Sequence, residues 1–396
     1  MHALRIVSLV VGVVLLVVAA IWRPLVAPVL TKLPTSLNDS VVFTGTYTGY
    51  VNQSTGASLA APQQLPLSIH RDVKAIASES NSADLVVNDA SAISIGPAKS
   101  AAVSQYVLNR STEQSVKSPF AYAVVPGDVV NRAGTYSLGP PRATDPARTY
   151  PFWTDEIGRA IPMTSTHTTG TVHGVAVQGW QINLPPTPMV TPMVKAMKLP
   201  LTMPFASFAA ELQAKGVGLA AAFKALAPGL TAAQNASLAA LTAAPIPLRY
   251  LYAVHSVDWV EPSTGGTVDV ITYVQSYSVR PDLSALATGL APILAAHPAN
   301  PVVVALTADT KQLTSVPAQP LYSLTFHQTP ASVASTADSI GHNASLLRIV
   351  SLWIPVTLGV IGLVLVGIAA VRVPRRRRAA QEIGTPVRVA SERPAS

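Results

Sequence analysis

The chain has 396 residues, 49% of them apolar and 12% charged, with a net charge of +8 and no cysteine. This composition is more apolar than that of an ordinary soluble domain, and it excludes disulfides, thiolate metal sites and cysteine nucleophiles. The net charge does not indicate a nucleic-acid partner, because residues 24–347 carry 17 basic and 17 acidic residues and the excess lies at the chain ends.

The N-terminal segment predicts a membrane helix. After residues 1–5, a cytoplasmic N-terminus, the next 17 residues carry no charge. They would form about 26 Å of helix, which is short for a span. We assign the first transmembrane helix to residues 6–28, with Trp22-Arg23 as an interfacial anchor. A cleaved signal peptide is the alternative, because Val18-Ala19-Ala20 resembles a small-residue cleavage site.

Residues 29–347 predict an extracytoplasmic domain of the α+β class, with a β-rich, antiparallel, sandwich- or barrel-like part. The clearest hairpin has arms at Tyr250–Val260 and Thr267–Val279 around a turn that contains proline and glycine. Runs of β-branched and aromatic residues between turn clusters predict further short strands. These are Val41–Val51, Leu65–Val73, Leu85–Val87, Ala92–Ile95, Tyr106–Leu108, Phe120–Val125, Tyr136–Leu138 and Leu321–Phe326, with strand-like pieces between Thr168 and Leu184.

Three stretches of this domain predict helices. Residues 205–244 are rich in alanine, with apolar residues at helical spacing and a break at Pro228-Gly229, which indicates a helical insertion. A second helix is predicted at Asp282–Ala296. Thr329-Pro330 is typical of an N-cap followed by proline at the first helical position, and this helix is expected to lead into the second membrane segment.

The C-terminal segment predicts the second transmembrane helix, at residues 348–371. Between Arg348 and Arg372 lie 23 residues without a charge, about 35 Å of helix, which is enough to cross a bilayer. Five arginines follow and are predicted to fix the topology and contact lipid headgroups: Arg372, Arg375, Arg376, Arg377 and Arg378. We therefore expect a two-span plasma-membrane protein, with residues 372–396 as a basic, disordered cytoplasmic tail.

The sequence predicts no catalytic site, no metal site and no cofactor. A phosphate-cradling glycine loop, HExxH and GxSxG are all missing from the sequence. The nearest histidine pair, His167 and His173, is expected on the surface. The acidic candidates are expected in solvated turns, and they are Asp155-Glu156, Asp258 and Glu261.

A methionine-rich stretch is the one unusual local feature. Methionine is flexible and polarizable, which suits surfaces that fit irregular apolar ligands. We predict that Pro185–Phe223 forms one wall of an apolar groove or a membrane-facing surface, with Lys195 and Lys198 at headgroups. The alternative is ordinary core filling under a proline-rich loop. The predicted lipid-contacting residues are Met189, Met193, Met197, Met203, Phe205 and Phe208.

Three motifs and the two flanking spans carry a family resemblance. The motifs are Tyr150-Pro-Phe-Trp-Thr-Asp155, Gly170-Thr-Val-His-Gly174 and Trp259-Val-Glu-Pro-Ser-Thr-Gly265. With the basic segment after the second span, they resemble the actinobacterial membrane proteins of the porin PorA family over residues 1–378. The chain departs from the family pattern in its long Ala-rich insertion after Pro185.

The resemblance implies a role in a mycolate-type cell envelope, in the maturation of lipomannan and lipoarabinomannan. We therefore expect a non-enzymatic, membrane-anchored accessory protein that binds membrane lipid or lipoglycan, with envelope glycosyltransferases as a further partner class and no nucleic acid. One alternative is an envelope porin or channel, against which the predicted strands argue because they are short, rich in Thr and Ser, and without aromatic girdles. The other alternative is a glycolipid-modifying enzyme.

Overall fold

The structure, a computed structural model, describes residues 2–52, 58–125, 128–214, 216–304, 306 and 317–371. The chain divides into two compact units. One unit contains the two terminal segments, Met1–Thr31 and Leu346–Ser396, and the other is Lys32–Ser345. The five arginines predicted to contact headgroups lie outside the described residues.

The unit Lys32–Ser345 combines a large antiparallel sheet with several helices. Its strands are β1 (Asn38–Val51), β2 (Ser58–Ala75), β3 (Asp84–Ile95), β4 (Ala98–Asn109), β5 (Tyr150–Thr154), β6 (Arg159–Val172), β7 (Val175–Pro188), β8 (Thr202–Met203), β9 (Ile246–Val260), β10 (Thr267–Pro281) and β11 (Gln319–Gln328). The helices α1 (His2–Ile21), α2 (Ala27–Leu30) and α9 (Ile354–Val371) belong to the terminal segments. The others are α3 (Thr191–Ala196), α4 (Phe205–Ala214), α5 (Leu219–Leu226), α6 (Ala232–Ala243), α7 (Ser284–Ala296) and α8 (Pro330–Arg348).

The sheet is a curled antiparallel half-barrel with the strand order β4-β3-β2-β1-β11-β10-β9-β7-β6-β5, and β8 pairs with β9 off this path. The first and last strands of the sequence meet in the middle of the sheet, where Gly45 lies opposite Phe326. A Cβ atom at Gly45 would collide with the backbone carbonyl of Thr325, so this close approach requires glycine. The predicted class is therefore confirmed in its coarse form, as a β-rich α+β unit built on one curled sheet.

An irregular segment, residues 110–149, hydrogen-bonds to both edge strands. The Val116 amide donates to the Val107 carbonyl of β4 at 2.8 Å, and the Trp153 amide of β5 donates to the Tyr136 carbonyl at 2.8 Å. Within the segment, the Ser115 amide donates to the Thr135 carbonyl at 2.8 Å. The backbone groups at both sheet edges therefore have partners from this segment.

The two faces of the sheet differ in chemistry, as period-two alternation requires. The inner face is filled by apolar and aromatic clusters, for example Phe43, Leu67 and Phe326 around the β1–β11 pair. The opposite face is polar and exposed. Its exposed residues include Thr44, Ser68, His70, Asn183, His255, Thr325 and His327.

Two predicted strands are not strands in the structure, and two others are parts of one longer strand. Phe120–Val125 and Tyr136–Leu138 form only isolated bridges through Tyr122 and Tyr136, because tertiary hydrogen bonds organise segment 110–149 instead of a regular ladder. Leu85–Val87 and Ala92–Ile95 are parts of the single strand β3. The predicted short strands are in fact long, and β2 has 18 residues.

A helical lobe with its own core is attached to the sheet. The predicted helical insertion 205–244 is confirmed as α4, α5 and α6, and α7 confirms the predicted helix at Asp282–Ala296. Thr231 and Gln234 form a capping box at the start of α6. The lobe core contains Phe205, Phe208, Leu219, Phe223, Leu226, Leu286, Leu290 and Ile293.

The terminal unit contains a close helix pair. A Cβ atom at Gly12 of α1 would lie 2.9 Å from the Gly362 carbonyl oxygen of α9, so the two backbones approach as closely as glycine allows. The Trp22 indole donates a hydrogen bond to the Val350 carbonyl at 2.8 Å. Trp22 lies in a short π-helical turn at Trp22–Val26, and Val350 lies in another at Ile349–Trp353.

Among the residues that the structure describes, one helix, Pro330–Ala370, is long and apolar enough to cross a membrane by its length and composition. A second candidate exists only if the bent pair Ile6–Ile21 and Pro24–Leu30 forms a single span. Membrane association is therefore supported by one apolar helix, and the two-span topology stays a prediction.

Candidate functional site

A row of tyrosine rings in contact with one another crosses four adjacent strands on the inner face of the sheet. Tyr277 of β10 lies between Tyr322 of β11 and Tyr252 of β9, with ring centroids 4.5 Å and 5.2 Å away. Tyr47 of β1 continues the row, 5.6 Å from Tyr322. The pairs Tyr277–Tyr322 and Tyr252–Tyr277 are direct cross-strand neighbours, so the strand register alone places these rings together.

Polar groups of β9 and β10 lie beside this row. The Gln275 side-chain amide donates a hydrogen bond to the Tyr252 hydroxyl at 3.1 Å, and Tyr252 also hydrogen-bonds with Tyr273. The Ser256 hydroxyl donates to the Asp258 carboxyl at 2.8 Å. Burial raises the pKa of Tyr273 to about 12, so its hydroxyl stays protonated at neutral pH and can donate a hydrogen bond.

Two half-buried carboxyl groups interact electrostatically with these tyrosines. Burial, with a smaller contribution from the neighbouring Asp155 carboxylate, raises the pKa of Glu156 to about 7, although a backbone hydrogen bond acts in the opposite direction. Burial likewise raises the pKa of Asp258 to about 7, although the Ser256 hydrogen bond and the Arg71 charge act in the opposite direction. The charge of each carboxyl group also raises the pKa of the Tyr273 hydroxyl.

We call the group Glu156, Tyr252, Asp258, Tyr273 and Gln275 the carboxyl–tyrosine centre. Near pH 7 each carboxyl is divided between its neutral and charged forms, so each can donate or accept a hydrogen bond. The two phenols and the amide add further donors and acceptors. Four of these five side chains are half-buried, and only Tyr252 is fully buried.

Two arginine ion pairs flank the centre. The Arg71 guanidinium binds Asp89 through two hydrogen bonds, at 2.8 Å and 2.6 Å. Arg132 is 1% exposed and binds both carboxylate oxygens of Asp155, at 2.8 Å and 2.9 Å. The guanidinium of Arg132 also lies 4.4 Å above the Tyr106 ring. Both arginines are thus neutralised by Asp89 and Asp155 rather than by Glu156 or Asp258.

The expectation of solvated turn acids is wrong for all four residues. Asp155 is held by Arg132 and by the Trp153 indole, which donates at 2.6 Å. Glu156 and Asp258 belong to the centre. Glu261 is 8% exposed and accepts hydrogen bonds from the residues that follow it in the turn. The sequence holds one missed signal, because strict alternation from Tyr252 through Ser256 places Asp258 on the inner face.

The six predicted lipid-contacting residues do not form one surface. Met189 and Met197 pack against the inner-face cluster that contains Trp180 and Tyr252. Phe205 and Phe208 are buried in the core of the helical lobe, and Met203 packs against that core. Burial, which a single sequence does not show, therefore separates this set. Met193, itself buried, lines a small pocket. Whether Met193 contacts lipid stays a prediction.

That pocket is apolar and small, with a volume of about 90 Å³. It lies between α3 and the loop before Val130, beside the β5–β6 turn. Asp155 and Gly158 of the turn line it, and the Val190 amide donates a hydrogen bond to the Glu156 carbonyl at 2.9 Å. The apolar lining includes Ala123, Val124, Val125, Val130, Val190 and Met193.

His167 and His173 are exposed, as predicted. Both have a left-handed backbone, with φ values of 57° and 46°. Among the residues that the structure describes, no group of three or more His, Cys, Asp or Glu residues is arranged to hold a metal ion.

A model of the protein family described as Porin PorA matches residues 4–371, nearly the whole chain. No curated protein matches the chain.

Proposed function

This chain belongs to the Porin PorA family, and from that premise we propose that it is a membrane-anchored, non-enzymatic binding protein of the cell envelope. Its ligand in this proposal is the hydroxyl-rich headgroup of an envelope lipid or lipoglycan. The observation that carries the proposal is the carboxyl–tyrosine centre on the inner face of the curled sheet.

The chemistry of the centre suits sugar hydroxyls. A hydroxyl both donates and accepts hydrogen bonds, and it is best held by groups that do the same. Tyr273, Gln275 and the two carboxyl groups of raised pKa have this dual capacity at neutral pH. Specific sites are typically concave, with a few placed polar groups among aromatic side chains, and the inner face has this arrangement.

Access to the centre supports a binding role over a purely structural one. Glu156, Asp258, Tyr273 and Gln275 are half-buried, and the nearby Arg71 side chain is 32% exposed. A ligand could therefore reach these groups and displace water from them. Tyr252 of the centre is buried together with the neighbouring Tyr277 and Trp180, and this packing fixes the position of the centre.

The proposed setting is the outer side of the plasma membrane. The apolar helix Pro330–Ala370 and the arginine cluster after it support an anchor with a cytoplasmic C-terminus. Packing of α1 on α9 through Gly12 and Gly362 supports retention of the N-terminal helix as a second span. A phosphatase that is active only outside the cytoplasm should give activity when inserted near Gly265 and none after Ser396, and the reverse pattern would refute this topology.

The binding test uses the full chain in lipid nanodiscs and methyl α-mannopyranoside as the probe, because the family resemblance implies a mannose-containing lipoglycan. Tyr273→Phe removes one phenol donor and should weaken binding about tenfold, the effect of roughly 1.4 kcal/mol. Tyr50→Phe, near the C-terminal end of β1, is the matched control and should leave binding unchanged. Failure of the mannoside to bind, or an equal effect of both variants, would refute the proposal.

A channel is the second candidate, favoured by the family description Porin PorA. A curled half-barrel is compatible with a channel, and strand length no longer argues against one, because β2 has 18 residues. The outward-facing residues do argue against a lipid-exposed barrel, because His70, His255 and Thr325 are polar and exposed. Stepwise conductance of the purified chain in planar bilayers would establish the channel and overturn our preference.

The enzyme alternative has a separate test. If the centre performs acid–base chemistry on an envelope glycolipid, Glu156→Gln should abolish turnover by membranes while the protein stays folded. Under the binding proposal, the same variant changes the affinity for the headgroup, and the amount of modified glycolipid stays the same.

A further inference from the structure

We propose that Ser40, His70 and Asp72 form a nucleophilic site on the polar, exposed face of the sheet, where Ser40 takes an acyl group from an activated ester such as an aryl ester or a thioester. The site is separate from the carboxyl–tyrosine centre, and the inference goes beyond the binding function proposed above. It describes a covalent modification of the chain, at one acyl group per molecule, rather than continuous turnover.

The contacts among the three side chains are the first argument. The Ser40 hydroxyl lies 3.0 Å from Nε2 of His70, and Nδ1 of the same ring lies 3.3 Å from the Asp72 carboxylate. Serine, histidine and aspartate have this same arrangement around the imidazole ring in serine hydrolases of unrelated folds. The Asp72 carboxylate only accepts hydrogen bonds, so it favours the proton on Nδ1 and leaves Nε2 to accept the proton of Ser40.

The strand register holds this arrangement in place. Ser40 of β1 lies directly opposite Asp72 of β2, and Val42 lies opposite His70. Side chains two residues apart on a strand share one face, so all three groups belong to the polar face of the sheet. Ser40 and His70 are 30 residues apart in the sequence, which is why no short motif reveals the site.

The surroundings of the three side chains leave the site open to a reagent. The side chains of His70 and Asp72 are 50% and 48% exposed. Their neighbours on β3 are alanines, with Ala92 opposite His70 and Ala90 opposite Asp72 in the β2–β3 ladder. Because an alanine side chain ends at Cβ, an acyl group can lie against the sheet beside the histidine ring.

The Ser40 amide is a donor for the negative charge that develops on the attacked carbonyl oxygen. The Val42 amide donates to the Ser332 hydroxyl at 3.0 Å, and the Val42 carbonyl accepts from the Thr329 amide at 2.9 Å, so both groups point away from β2. Backbone groups two residues apart point to the same side of a strand, and the Ser40 amide therefore points away from β2 as well. No strand lies opposite it there, because the pairing of β1 with β11 begins at Phe43. The amide of the nucleophile itself is one of the usual donors of an oxyanion hole.

The reaction is a single acyl transfer. Oγ of Ser40 attacks the carbonyl carbon of the ester while its proton moves to Nε2 of His70, and the bond from that carbon to the leaving oxygen or sulfur then breaks. His70 passes the proton to the leaving group, which departs as a phenol or thiol and leaves the acyl group as an ester on Ser40. A serine ester has a poorer leaving group than an aryl ester or a thioester, so water removes the acyl group slowly and the acylated chain accumulates.

The experiment treats the full chain in lipid nanodiscs with p-nitrophenyl butyrate. We expect nitrophenol to be released in a burst that matches one butyryl group per chain, and peptide mass spectrometry should locate that group on Ser40. Ser40→Ala should remove the burst. Ser68→Ala, at another exposed serine of the same face, is the matched control and should leave the burst unchanged.

Variants of the other two residues test their roles. His70→Ala should slow the burst about a hundredfold, the lower end of the usual range for a general base, because the site is open to water. His255→Ala, at another exposed histidine of the same face, is its matched control. Asp72 is a positioning residue that acts through His70, so Asp72→Asn should slow the burst by less than His70→Ala does, and Asp72→Glu, which keeps the charge, should retain most of the rate. Near-ultraviolet circular dichroism should be the same for every variant.

The outcomes decide for or against the nucleophilic site. Loss of the burst in Ser40→Ala and its slowing in His70→Ala, with both controls unchanged, would support the site. A burst that persists in Ser40→Ala, a butyryl group found on a lysine instead of Ser40, or equal slowing by His70→Ala and His255→Ala would overturn it. Binding of methyl α-mannopyranoside should be the same in Ser40→Ala as in the unchanged chain, so the failure of this site and the failure of the headgroup site are separate results.

Discussion

Replacement of Arg132 by methionine is the sharpest test of how the inner face is held together. The guanidinium binds both oxygens of Asp155 and donates to the carbonyls of Gln105 and Tyr122, at 3.0 Å and 3.1 Å. Methionine fills similar space but removes the charge and all of these donors. Asp155 would then be a largely buried carboxylate without its cation.

The expected loss follows from the burial of the pair. Breaking a buried ion pair by removing one partner costs about 3–5 kcal/mol, because the remaining charge is uncompensated. The unit Lys32–Ser345 has roughly 300 residues, and an unfolding entropy of about 2.1 cal/mol/K per residue makes each kcal/mol worth roughly 1.5 °C. Arg132→Met should therefore lower the melting temperature by about 5–8 °C.

The assay is thermal unfolding of the full chain, followed by circular dichroism in one detergent. Asp155→Asn in the Arg132→Met background should restore part of the lost stability, because it removes the uncompensated charge. Arg148→Met is the matched control, since the Arg148–Asp145 pair is 74% and 48% exposed and should change the melting temperature little. A loss in Arg132→Met no larger than in the control, or strict additivity with Asp155→Asn, would refute this reasoning.

Three further outcomes are expected. The raised pKa values of Glu156 and Asp258 mean that the folded chain holds more protons than the unfolded chain between about pH 4 and 7. The free energy of unfolding should therefore be highest at the acid end and fall toward pH 7, by up to about 1.4 kcal/mol per pH unit for each group. Glu156→Gln with Asp258→Asn should reduce this slope in urea titrations, and part of it should remain because burial also raises the pKa of Glu113 to about 7. Gly12→Val should weaken the packing of α1 on α9 and lower the melting temperature of the full chain, because its side chain would meet the Gly362 carbonyl, whereas Gly367→Val, at a position with open space around it, should change it little; equal effects would contradict the helix packing. Gly45→Val should abolish folding of the sheet, measured by near-ultraviolet circular dichroism, because its side chain would meet the Thr325 carbonyl, and a soluble, native-like Gly45→Val variant would contradict the β1–β11 register.

Local features of the fold were predictable from the sequence because their causes are local. The β9–β10 hairpin depends on alternation and on the turn residues between its arms, and the structure has it at Ile246–Val260 and Thr267–Pro281. The helix after Thr329-Pro330 begins where the cap predicts, with the Thr329 hydroxyl accepting from the Ser332 amide at 3.3 Å. Segment 110–149 was not predictable, because its form depends on hydrogen bonds to strands on either side of it in the sequence.

The candidate site was largely missed for the same reason. Asp155 was expected in solvent because nothing in its neighbourhood in the sequence shows that Arg132 will be buried beside it. Asp258 lies two residues before the end of β9, close to the hairpin turn, so it was predicted to be a solvated turn residue. Alternation along β9 in fact places it on the inner face. The methionines were predicted as one surface from their spacing, yet tertiary packing divides Met189 and Met203 between two cores.

The pairing of β1 with β11 sets the order in which this sheet can form. Phe43 pairs with Gln328, so the central ladder joins residues that are nearly the whole unit apart in the sequence. Such non-local pairing makes folding slow, because the chain loses the entropy of a long loop before the contact forms. As the chain emerges N-terminus first, β1 has β2 on one side and an open ladder on the other until β11 has been made. During that interval the unpaired edge of β1 is exposed and can pair with other chains. A chaperone that covers β1 would therefore protect the nascent chain from aggregation.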